Sequence, residues 1–128
     1  MSSSNLDAHI RLKRAYEPPD EADGVRILVD RLWPRGITKR KAKIDQWIKD
    51  IAPTAELRKW FGHDPDRWQE FKKRYTAELK DHAELVDELV RLVDKGTLTL
   101  VFGARDEEHN DAVVLRQLII DRARTKHS

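Results

Sequence analysis

Ile10 and Leu12 alternate with Arg11, Lys13 and Arg14 before Ala15-Tyr16, a period-two pattern that predicts a half-exposed strand at about residues 9–14. From Glu17 to Gly24 come two prolines, three acids after them and a glycine, a composition that blocks helix and central strand and predicts a surface connection. Val25-Arg26-Ile27-Leu28-Val29-Asp30 is β-branched and nearly continuous in apolar character, as expected of a central strand covered on both faces. Pro34 and Gly36 halt regular structure after it. Thr38 can then cap a helix predicted over about 39–50, in which Ile44, Trp47, Ile48 and Ile51 have the spacing of one buried stripe.

The pattern stays helical for the next stretch. Thr54 offers a cap for a short helix near 55–61, Gly62 ends it, and Asp64-Pro65 starts another whose Trp68, Phe71, Tyr75 and Leu79 share one face. A helix over about 82–95 carries a broad stripe of Leu85, Val86, Leu89, Val90, Leu92 and Val93 and stops at Lys95-Gly96. Thr97 to Phe102 reads as a third strand, and Asn110 or Asp106 begins a last helix through about Ala123. The predicted fold class is α/β: a small single domain, residues 9–124, with a short, mostly parallel sheet of about three strands and about five helices. Residues 1–8 and 125–128 read as terminal tails. The long helical stretch makes the second and third strands a parallel crossover pair, whereas the first two strands are joined by a connection short enough for antiparallel pairing as well.

Composition narrows the chemistry more than the fold. At 128 residues one core is expected, and 38% charged residues exceed the ~25% usual in globular proteins. The 25 basic and 23 acidic residues are interleaved, so the net charge of +2 says little about partners until their placement is considered. Absence of cysteine excludes disulfides, thiolate nucleophiles and Cys-ligated zinc or iron–sulfur centres. No apolar run nears the ~20 residues of a membrane helix, and the N-terminus lacks the features of a secretory signal. A soluble, cytoplasmic protein with no membrane partner is the expectation. The sequence carries no signal for the oligomeric state.

If the second and third strands are parallel, their carboxyl ends bring the Asp30–Gly36 turn beside Gly103–Asn110, the edge where open α/β sheets bind ligands. Arg14 and Tyr16 join them if the first strand is also parallel. Arg14, Arg31, Arg35 and Arg105 would then offer planar donor forks to a phosphate or carboxylate, or pair among themselves with Asp30, Asp106 and Glu108. Trp33 would form an aromatic wall, with Asn110 beside it as a further ligand contact. Lys39, Arg40 and Lys41 crowd a predicted first helical turn, and no acid interrupts the chain between Arg31 and Lys43. A phosphate-bearing small molecule, a nucleotide or a nucleic-acid segment is the expected partner. A hydrolase or transferase would add Asp30 or Asp106 as general base and His109 as acid/base; the alternative is a non-catalytic module binding protein or RNA. No HExxH, EF-hand, GxGxxG, P-loop or GxSxG pattern occurs, so neither metal nor cofactor is expected.

Ile10-Arg11-Leu12-Lys13-Arg14, Val29 to Gly36, Glu56 to Pro65 and Ala104 to Asn110 together resemble, in order and over nearly the whole chain, the YeaO-like bacterial proteins, a branch of a large domain-of-unknown-function family. The resemblance implies a small cytoplasmic α/β domain and supplies no activity. A tetrapyrrole methyltransferase label carried by some relatives finds no glycine-rich strand-to-helix turn here to support it. Longer relatives place Cys and His near the last strand; Ala104 here removes thiol chemistry, while His109-Asn110 remains at a comparable place.

Overall fold

The structure, a computed structural model, describes residues 6–127; of the predicted N-terminal tail, residues 1–5 lie outside the described residues. Four parallel strands, β1 (Ile10–Arg14), β2 (Val25–Leu28), β3 (Gln46–Trp47) and β4 (Leu98–Phe102), form one sheet in the order β1-β4-β2-β3. The helices are α1 (Leu6–His9), α2 (Lys39–Ala42), α3 (Ala55–Phe61), α4 (Trp68–Leu79), α5 (Ala83–Lys95) and α6 (Asp111–His127). The domain is α/β, and β2 and β4 pair in parallel as their helical separation required. β1 does not pair with β2 at all: it lies parallel to β4 on the other side, with Ile10 opposite Leu98 and Arg14 opposite Phe102. No described helix is long and apolar enough to cross a membrane.

Side-chain alternation divides the sheet into two unlike faces. Ile10, Ile27, Leu98, Leu100 and Phe102 belong to the main core, which they share with Phe71, Tyr75, Leu89, Val93, Leu115 and Ile119 of α4, α5 and α6. The opposite face is polar at one end and apolar at the other. At its polar end, buried Asp23 receives Arg26 Nη1 at 2.6 Å, Lys13 Nζ at 3.2 Å and Arg11 Nη1 at 3.2 Å, while Thr99 Oγ1 donates to the Asp23 carbonyl at 2.7 Å. At its apolar end Ala15, Leu28 and Val101 are covered by Trp33, Ile37, Ile44 and Trp47.

That second face explains the one large departure from the predicted elements. The helix expected over 39–50 stops after a single turn, because Lys43 takes a left-handed conformation (φ 48°, ψ 44°) and its N–H closes back on the Lys39 carbonyl. The chain then pairs β3 with β2, Ile27 opposite Gln46 and Leu28 opposite Trp47. Ile44 and Trp47 consequently cover one face of the sheet while Ile48 and Ile51 enter the main core. Four apolar residues at helical spacing thus serve two cores. Thr38 and Thr54 cap α2 and α3 as predicted, and α6 runs on to His127, past the end expected at Ala123.

Candidate functional site

β2 and β4 end side by side, and the chain beyond them, with α3 and the start of α6, encloses a cleft of about 620 Å³. Asp30, two residues past β2, turns its Oδ2 to the Gly103 N–H at 2.8 Å, which ties the two strand ends together. A side chain at Gly103 would bring a Cβ within 3.2 Å of that oxygen, a tight contact that would push the carboxylate aside by a few tenths of an ångström. From the other side, Trp47 Nε1 donates to the Asp30 carbonyl at 2.7 Å and fixes the turn. Arg31, Leu32 and Arg35 follow along the rim, α3 supplies Arg58, Lys59 and Phe61, and His109, Asn110 and Asp111 enter from the start of α6.

The cleft has an aromatic wall, though not the predicted one. Phe61 stacks on Phe71 at 4.3 Å between ring centroids, Trp68 lies 5.7 Å from Phe71, and the His109 ring meets Trp68 edge-on at 5.2 Å. Trp33 stands apart on the opposite sheet face, its Nε1 donating to the Ile37 carbonyl and its ring edge-on to Trp47 at 5.5 Å. Below the cleft, buried Tyr75 donates its hydroxyl to the Ile51 carbonyl at 2.6 Å. Burial, reinforced by the negative fields of Asp111 and Asp30, pushes that phenol well above its usual range and keeps it a neutral donor.

Electrostatically the centre of the cleft is a carboxyl pair. Burial raises the Asp30 carboxyl above the usual carboxylate range, against the opposing pull of the Gly103 N–H and the Arg58 guanidinium. Half-buried Asp111 is pushed up to about 8, first by burial and then by the negative field of Asp30. Both carboxyls are therefore held toward their protonated forms, Asp111 in part by the field of Asp30. Around them stand Arg31, Arg35, Arg58 and Lys59, so four cationic side chains line a cleft with two carboxyls that are both shifted toward neutrality. The Nε of Arg31 is buried there with no hydrogen-bond partner, a donor the surrounding protein leaves unanswered.

Of the residues read from sequence, Asp30, Arg31, Arg35, His109 and Asn110 come together in this cleft, and Asp106, Arg14, Tyr16, Trp33 and Arg105 lie outside its lining. Arg14 Nε is engaged by the Ala104 carbonyl at 2.9 Å, and its guanidinium lies over the Tyr16 ring. Tyr16 itself donates to the Arg35 carbonyl. Asp106 accepts the Glu108 and His109 N–H groups and holds His109 Nδ1 at 2.9 Å, so it orients the imidazole from behind. The Glu108 N–H, with the His109 contacts, keeps the Asp106 carboxyl below its usual range. Asn110 Oδ1 caps α6 by accepting the Val113 N–H, and its Nδ2 donates to the Asp106 carbonyl, so both ends of the amide are engaged within the protein.

Sequence reasoning missed Arg58, Lys59 and Asp111. Arg58 and Lys59 lie in the last turn of α3 and Asp111 in the first turn of α6, positions where basic and acidic residues are common for helical reasons alone. Only knowing that α3 folds over the strand ends separates them from such residues. Among the described residues no group of three or more His, Asp or Glu is arranged to hold a metal ion.

Fold and site define a small parallel α/β domain with a polar cleft at its strand ends. Residues 9–128 match the family described as the "Inactive DUF488-N3 subclade". The uncharacterised protein Rv3073c of Mycobacterium tuberculosis is 43% identical over 113 residues, which is 88% of this chain and 95% of that one. The uncharacterised protein YeaO of Escherichia coli is 43% identical over 107 residues, 84% of this chain and 93% of its own. The chain belongs to this YeaO-like family of the DUF488 group. No solved structure matches it.

Proposed function

We propose that the protein binds a small phosphate-bearing ligand in the cleft between β2, β4, α3 and α6, and that it acts through binding and not turnover. The observation that carries this reading is the excess of cations: Arg31, Arg35, Arg58 and Lys59 line a cleft whose two carboxyls, Asp30 and Asp111, are both shifted toward their protonated forms. Arg35, Arg58 and Lys59 are exposed, Arg31 is half-buried, and their guanidinium and ammonium groups converge on one cleft where an oxyanion can take their hydrogen bonds. The size supports a small molecule, since pockets of ~300–1,000 Å³ are typical of such ligands. A nucleic-acid strand fits less well, because exposed Lys39, Arg40 and Lys41 lie outside the lining and Trp33 is engaged elsewhere. The description of the matched subclade as inactive favours binding over chemistry.

An amide NMR titration with inorganic phosphate at low and high salt tests this. Saturable shifts at Arg31, Arg58, Gly103 and His109 are expected, weakening as salt rises. Arg58→Ala should reduce affinity roughly tenfold while leaving the spectrum of a folded protein. Absence of saturable shifts at those residues sinks the proposal.

A further inference from the structure

The cleft contains two kinds of polar group, and a bare anion answers only one of them. The cationic rim of Arg31, Arg35, Arg58 and Lys59 suits an oxyanion. Asp30 and Asp111 do not, because a charged carboxylate repels an anion and accepts hydrogen bonds only from donors. Their internal partners occupy one oxygen each: Asp30 Oδ2 accepts from Gly103 at 2.8 Å and Asp111 Oδ1 accepts from Ala112 at 3.0 Å. Neither Asp30 Oδ1 nor Asp111 Oδ2 has a hydrogen-bond partner among the described residues. Beside them the buried edge of the stacked Phe61 and Phe71 rings closes the floor of the same cleft and gives it an apolar side. A volume of about 620 Å³ also holds much more than a phosphate group alone.

We infer that the cleft takes a hydroxylated phosphomonoester, a polyol or sugar phosphate, with its phosphate at the arginine rim and its hydroxyls on Asp30 and Asp111. This rests on the phosphate-binding reading above and adds what the rest of the ligand must be. Hydroxyl donors satisfy the carboxyl pair whether it carries one proton or none, because carboxyl oxygens accept in both forms. Hydrogen bonds to a charged carboxylate discriminate strongly, on the order of tenfold or more for each hydroxyl.

The test compares inorganic phosphate, methyl phosphate, glycerol phosphate, ribose phosphate and free glycerol by calorimetry on the intact protein. Glycerol phosphate or ribose phosphate is expected to bind at least ~10-fold more tightly than methyl phosphate, and whichever of the two is tighter identifies the skeleton as polyol or sugar. Asp30→Asn should collapse that preference while holding or raising affinity for methyl phosphate, a pattern that loss of folding cannot produce. Asp111→Asn, which retains the shape and neutrality of the protonated acid, serves as the second variant and should reduce the preference in part. Equal affinity for methyl and hydroxylated esters overturns the inference and leaves the phosphate site standing. A preference that survives both substitutions also overturns it, by removing the carboxyl pair from recognition. If inorganic phosphate and every ester fail to bind, both readings fall together.

Discussion

Asp23 and Asp111 are carboxyls that the same fold drives in opposite directions, and each leaves a measurable mark. Burial alone would raise Asp23, but the Asp20 N–H, Lys13 and Arg26 outweigh it and hold the carboxyl below its usual range. A depressed acid stabilises the folded state above its unfolded pKa and stops doing so as pH falls through the folded value. Asp23→Asn leaves Arg26 and Lys13 facing an uncharged amide inside the protein and should lower stability by about 3–5 kcal/mol in urea unfolding at neutral pH. The penalty should shrink in acid, where the wild-type carboxyl is itself protonated. Asp111 has the reverse sign. With its folded value at about 8 against an ordinary 3.8, the folded state holds a proton that the unfolded chain releases, so stability declines as pH rises between those values. One retained proton corresponds to a slope of up to about 1.4 kcal/mol per pH unit. Asp111→Asn should flatten that part of the stability profile, and an unchanged slope would show that Asp111 does not hold the proton.

Two backbone positions with positive φ, Gly24 and Lys43, flank the segments that pack on the second sheet face. Gly24 has φ 63° and ψ −133°, and a Cβ there would stand 2.2 Å from the Thr97 carbonyl oxygen. Gly24→Ala should therefore destabilise the protein by more than about 2 kcal/mol, combining backbone strain with a clash that no rotamer relieves. Lys43 is the opposite case, an ordinary residue in a left-handed cap; Lys43→Gly should raise stability by roughly 0.4–1 kcal/mol in the same measurement. The same segment shows where the sequence was legible. Strands β2 and β4, helices α3 to α6 and the caps at Thr38 and Thr54 announce themselves because periodicity and capping are local. Ile44 to Ile51 misleads because its helical spacing is genuine while its burial partners, Leu28 and Val101 on one side and the main core on the other, lie elsewhere in the chain. Pairing of β1 with β4 across some ninety residues left no local trace either, as with the bond from Arg14 to the Ala104 carbonyl. For the site, residues flanking the strand ends, Asp30, Arg31, Arg35 and His109, were legible from topology. Arg58, Lys59 and Asp111 needed the docking of helices whose polar faces look alike in sequence.

At the scale of the whole molecule the cleft couples ligand, proton and stability. An anion bound by Arg31, Arg35, Arg58 and Lys59 sits in the field of both carboxyls, so deprotonating Asp111 adds a negative charge beside it. Binding must then favour the protonated form, and by linkage the ligand must raise the proton affinity of the pair. Once the ligand is dianionic, phosphate affinity should therefore fall as pH rises through about 8, the value to which Asp111 is raised. Ligand at a hundredfold excess over its dissociation constant adds about 2.7 kcal/mol to unfolding, or a rise in melting temperature of several degrees for a domain of this size. That rise, measured by differential scanning calorimetry, should be largest at low salt and below pH 8 and should diminish on the alkaline side. In Asp111→Asn it should persist across the alkaline limb, since no proton is left at that position to lose. A melting shift that ignores both pH and salt would place the bound anion away from the carboxyl pair, on some other basic surface such as the exposed turn of Lys39, Arg40 and Lys41.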